Sequence, residues 1–284
     1  MSKDFHIVPR NRRDTLGEGA YWSTRENALY WVDVLGHRVN RLSSNGTVES
    51  WELPSYVGWV IEREAGGLMA GVGNSFGTLS LDPLVFTPIV TPAPDRENHR
   101  VNDAKADAQG RIWAGIMPVS CDTPTGSFYR LDTDCTVTRV DHPYTIPNGP
   151  TVSPDGSTLF HADTALSTIF RFDVHDDGSL GPRDPFIVFE SAWGFPDGMT
   201  LDAEGGLWSA CWGGNAVRRF SPDGKLDRTI SLPASQISSC VFAGANFDRM
   251  FVTSAAVDVD EPDAGALFEI DPGISGLAAQ LFRG

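Results

Sequence analysis

Short runs in which apolar and polar residues alternate at every second position recur along the chain, as in Gly126-Ser127-Phe128-Tyr129-Arg130-Leu131 and Ala216-Val217-Arg218-Arg219-Phe220. Alternation of this kind packs one face of a strand and leaves the other wet. Long stretches with apolar residues at helical spacing are missing. Between the runs stand Asn45-Gly46, Pro154-Asp155-Gly156, Asp177-Gly178 and Pro222-Asp223-Gly224, sequences that supply the positive φ required by tight hairpins. The pattern predicts an all-β protein.

One element repeats. A turn-like segment is followed by a strand with an aliphatic–bulky pair at Leu29-Tyr30, Leu68-Met69, Ile112-Trp113, Leu159-Phe160, Leu207-Trp208 and Met250-Phe251. Successive bulky members are 39, 44, 47, 48 and 43 residues apart, the spacing of propeller blades. The expectation is a six-bladed β-propeller with four-stranded antiparallel blades around a central channel, one domain over residues 1–284, with the runs after each pair as second and third strands. A strand from Phe5 to Val8 is expected to close the ring by joining the last blade.

Superposing the six pairs brings a set of polar residues into phase. The position 11 or 12 residues before each bulky residue, where the chain enters an innermost strand, holds Glu18, Val57 or Gly58, Asn102, Asn148, Asp197 and Ser239. Carboxylate and carboxamide oxygens converging from several blades on one axis are what a hard cation requires. Glu18, Asn148 and Asp197 are therefore expected to bind one divalent metal, Ca²⁺ first, with Mg²⁺, Mn²⁺, Zn²⁺ or Fe²⁺ as alternatives. Taken singly, Asn148-Gly149-Pro150 and Pro196-Asp197-Gly198 read as ordinary surface turns; their shared phase argues otherwise.

Composition narrows the partners. A formal charge of −15 repels phosphate backbones and anionic lipids and attracts cations, so neither nucleic acid nor membrane is an expected partner. The polar start and the absence of an 18-residue apolar run predict a soluble, cytoplasmic protein, monomeric or weakly self-associating. Four scattered cysteines predict reduced thiols. The six histidines show no metal-ligand spacing, and neither a Gly-x-Ser-x-Gly elbow nor a glycine-rich phosphate loop is present.

Several motifs, in order, carry a resemblance over essentially the whole length: Leu16-Gly17-Glu18-Gly19 before a Trp, Arg100-Val101-Asn102-Asp103, Asn148-Gly149-Pro150 ahead of Ser153-Pro154-Asp155-Gly156, and Pro196-Asp197-Gly198-Met199. Leu207-Trp208-Ser209-Ala210-Cys211-Trp212-Gly213-Gly214 and Pro262-Asp263-Ala264-Gly265 extend it. The sequence resembles the gluconolactonase and regucalcin family, often called senescence-marker-protein-like. The resemblance implies a divalent cation on the residues matching Glu18, Asn148 and Asp197, and substrate contacts from those matching Arg100 and Asn102. Animal members carry a glutamate shortly after the Gly-x-Met turn; here Ser120 falls at its place, and a substrate contact with a different hydroxyl pattern is expected of it.

The activity implied is metal-dependent hydrolysis of a sugar lactone to the aldonic acid. A cation would polarise the lactone carbonyl and activate water. Asp197 is the candidate base for the attacking water, and a competing version dispenses with a protein base. Alternative readings are a metal-dependent esterase or phosphotriesterase, and a non-catalytic calcium-binding regulatory protein.

Overall fold

A computed structural model of the chain describes residues 5–284. It is a six-bladed β-propeller of four-stranded antiparallel sheets. The innermost strands are Gly17–Ser23, Val57–Glu62, His99–Ala106, Pro147–Val152, Phe195–Leu201 and Ile237–Ala243, opening blades 1 to 6 in chain order. Each packs against the next, and the last against the first. All six aliphatic–bulky pairs lie on the second strand of their blades, and Gly126–Leu131 and Ala216–Phe220 are both third strands.

The ring closes as the N-terminal pattern predicted. Phe5–Ile7 is the outermost strand of blade 6, pairing Phe5 with Ile270 and Ile7 with Phe268, and Val8 continues it by donating to the Leu267 carbonyl. The four cysteines are free. Among the described residues no helix is long and apolar enough to cross a membrane.

Large aromatic side chains fill the wedges between blades, and three of them solve the same problem alike. Trp31, Trp113 and Trp208 are fully buried on second strands, where an unpaired indole N–H would be costly. Each Nε1 donates to a buried aspartate, Asp14, Asp107 and Asp202 respectively, at 2.9, 2.7 and 2.8 Å. An arginine, Arg10, Arg111 or Arg219, pairs with the same carboxylate. The apolar ring and its polar atom are thereby both satisfied without water.

His161 has no such solution. It lies buried between Phe128, with ring centroids 3.7 Å apart, and Tyr144, and neither ring nitrogen has a hydrogen-bond partner. It is a core histidine, but not a hydrogen-bonded one. Burial, with the Arg183 charge adding to it, holds its pKa well below the ordinary value. The unfolded chain therefore binds this proton more readily, and folding stability is lost as pH falls below about 6.5. Comparing denaturant melts of the native chain and His161→Leu should show their stability difference shifting toward the variant by up to about 1.4 kcal/mol per pH unit below that point. A pH-independent difference would refute the assignment.

The C-terminal segment shuts one mouth of the channel. Gly276 bridges to Asp202 of blade 5, Phe282 bridges to Arg63 between the first two strands of blade 2, and Arg283 donates to the Gly110 carbonyl of blade 3. Phe282 is fully buried in the largest hydrophobic cluster. Phe282→Ala should destabilise the chain by about 3–5 kcal/mol in chemical denaturation. The site described next opens at the other mouth.

Candidate metal centre and substrate cavity

Every innermost strand is irregular where it enters the channel. Register shifts interrupt pairing between Glu18 and Tyr21, Val101 and Ala104, Asn148 and Thr151, and Pro196 and Met199. Bulges re-aim side chains that a regular strand would send into the sheet. Gly19 and Gly149 have φ of 56° and 53°, and a Cβ on either would strike the backbone of the next blade, at the Gly58 and Asp197 carbonyls. The Glu-Gly and Asn-Gly pairs are thus bulges pressed against a neighbour. Neither they nor Pro196-Asp197-Gly198 are surface turns, whereas Asp155 and Asp223 do occupy exposed ones.

Two aspartates that the motif reading passed over brace these entries. Asp33, at the end of a second strand, accepts from the Thr15 and Leu16 N–H groups, and Leu16 stands two residues before Glu18. Asp163 likewise accepts from Thr145 and Ile146, two residues before Asn148. Each lies 15 residues beyond the ligand it supports. That recurrence is legible in the sequence once the repeat is aligned.

Glu18, Arg100, Asn102, Asn148 and Asp197 come together around one cavity of about 310 Å³. All five are buried. A hydrogen-bonded line joins four of them: Arg100 Nη1 donates to Asn102 Oδ1 at 2.7 Å, Asn102 Nδ2 donates to Asn148 Oδ1 at 3.1 Å, and Asn148 Nδ2 donates to Asp197 Oδ1. Asn148 Nδ2 also meets Thr164 Oγ1, whose hydroxyl donates to the Pro196 carbonyl at 2.8 Å. Arg100 does not pair with Asp103. That buried carboxylate instead accepts the Ala104 and Gly149 N–H groups at 2.8 and 3.0 Å, tying blade 3 to blade 4 directly behind Asn148.

The electrostatics are those of a cation site. Burial, then repulsion from Asp197 and Asp103, raises the Glu18 pKa well above the ordinary value. Asp197 is raised likewise by burial and by Asp103. Arg100, its own pKa lowered by burial, offsets this only weakly. Two crowded carboxylates and a carboxamide are hard oxygen donors, which fits a divalent cation. To hold it through all three, the Asn148 amide would turn over so that its oxygen faces Asp197. Among the described residues no group of three or more His, Cys, Asp or Glu side chains forms a metal cluster, and the carboxamide here stands in for a third such ligand.

Ser120 is placed differently from its expected role. It sits in a turn closed by the Cys121 N–H on the Pro118 carbonyl, exposed, with its hydroxyl donating to Asp122 at 2.5 Å. Cys121, at φ 58°, takes the place on the cavity wall. Of the aromatic residues considered for that wall, Trp212 lines it; Trp22 and Trp59 are buried between blades, and Trp193 packs on Phe189 and Phe220. Tyr56, which carried no sequence signal, also lines it.

Comparison with known proteins places this geometry. The SMP-30/gluconolactonase/LRE-like region matches residues 16–256. An L-arabinolactonase of Azospirillum brasilense is 34% identical over 96% of this chain and 93% of its own length. A regucalcin of Xenopus laevis is 33% identical, covering 95% of each. A solved structure described as a calcium-binding protein, regucalcin, from Agrobacterium tumefaciens superposes with a TM-score of 0.93 at 26% identity, over 99% of this chain and 98% of that one.

Proposed function

We propose that this chain, which belongs to the SMP-30/gluconolactonase/LRE-like family, is a lactonase that hydrolyses a sugar lactone to its aldonic acid at a divalent cation held by Glu18, Asn148 and Asp197. The observation that carries the reading is the meeting, in one cavity, of two buried carboxylates of raised pKa with the Asn102 and Asn148 carboxamides and the Arg100 guanidinium. Relatives named as lactonases align over nearly the whole chain, which supports the reaction class.

A bound cation would polarise the lactone carbonyl and acidify a water molecule. Asp197 is the base that accepts the proton of the attacking water. Arg100 and Asn102 orient the lactone, the guanidinium as a fork of donors and the carboxamide as donor and acceptor. Asp103, bonded to the Gly149 N–H, holds the Asn148 bulge in place. Ca²⁺ is the favoured ion for an all-oxygen set, ahead of Mg²⁺, Mn²⁺, Zn²⁺ and Fe²⁺.

The test is proton release from a panel of pentono- and hexonolactones by chelator-stripped protein supplied with each ion in turn, with spontaneous opening subtracted. Turnover restored by one ion on one lactone supports the reading. Tight ion binding with no turnover on any lactone would favour a second reading, a calcium-binding protein without catalysis, which the Agrobacterium neighbour's description motivates. Arg100 and Asn102 weigh against it, because a purely structural ion needs neither.

A further inference from the structure

We infer that the preferred substrate is a deoxyaldonolactone, with a methyl group where a common hexonolactone carries its terminal hydroxymethyl. This deepens the lactonase reading and rests on it. The cavity is polar at its floor and apolar above. Glu18, Asn148, Asp197, Arg100 and Asn102 gather the hydrogen-bonding atoms on one side. Leu35, Val119, Ile146, Trp212 and Val257 make much of the remaining wall, contributed by the loops and strands of five different blades.

Leu35 and Val119 are 41% and 40% exposed and stand at the open end of the cavity. The Tyr56 hydroxyl and the weakly bonding Cys121 thiol are the wall's polar groups outside the floor and Thr164. At the position Ser120 was expected to fill, the turn directs its hydroxyl to Asp122 and leaves Val119 facing the cavity.

A lactone bound with its carbonyl at the floor sends its exocyclic arm along this wall. Along its aliphatic stretch a terminal hydroxyl trades water for a surface with few partners, whereas a methyl group covers apolar surface. Pockets of this kind discriminate by about tenfold or more per group changed.

Matched pairs isolate that one oxygen: L-rhamnonolactone against L-mannonolactone, and L-fuconolactone against L-galactonolactone, assayed on the cation-loaded native chain. The expected result is kcat/KM at least about tenfold higher for the deoxy member of a pair. In Leu35→Asn and Val119→Asn the ratio should fall toward one. Equal or reversed ratios in the native chain, or turnover confined to fully hydroxylated lactones, would overturn this inference and leave the lactonase reading standing. Silence on every lactone, with cation bound, would overturn both.

Discussion

Asp197→Asn lowers kcat for lactone opening by about 10²–10⁴-fold, with the chain still folded. The lower bound is the usual contribution of one positioned base, and the loss grows because the same oxygen is a proposed cation ligand. Folding should survive for a specific reason. Asp197 is raised by burial and by Asp103, so its charge is a cost to the cation-free fold, and an uncharged isostere removes that cost while keeping the shape. The circular dichroism spectrum should therefore be unchanged, and the thermal midpoint of the cation-free variant no lower than that of the native chain. Turnover within about threefold of native, with cation bound, would remove Asp197 from the reaction.

Loading the stripped protein with its cation at a hundred times Kd should stabilise it by about 2.7 kcal/mol, because the folded state alone assembles the site. For a chain of this length that is a rise in Tm of about 4 °C. The proposed ligands come from blades 1, 4 and 5 and are far apart in sequence, so no unfolded segment presents them together. Glu18→Gln should abolish most of this increment, since it deletes one of two charges facing the ion. Differential scanning calorimetry with and without chelator reads both. An increment that persists undiminished in Glu18→Gln would place the ion elsewhere.

The ring and its six-fold count were legible because each blade repeats one local pattern, an aliphatic–bulky pair between turns, and local pattern follows from strand pairing alone. Phase within that repeat also located Glu18, Asn102, Asn148 and Asp197, all of which meet in the cavity. Asp33 and Asp163 obeyed the same phase and were passed over, because an aspartate at a strand end looks like turn chemistry until the strand entry, with the backbone N–H groups it offers, is seen folding back on it. The orphaned nitrogens of His161 follow from packing between two aromatic rings of blade 3, which no local pattern records.

By itself, then, the sequence determined the period, the closure by Phe5–Ile7 and the identity of the polar ring, since these depend on spacing along the chain. Only the tertiary structure decided which side chains face the cavity. Ser120 and Cys121 are adjacent, and a single turn with one left-handed residue sends the first to solvent and the second to the wall. The tail from Gly276 to Arg283 shuts the far mouth through contacts with blades that precede it by tens to hundreds of residues, and no local pattern records such contacts. Spacing along a strand is a short-range property, whereas orientation at a bulge is settled by the neighbouring blade that presses on it.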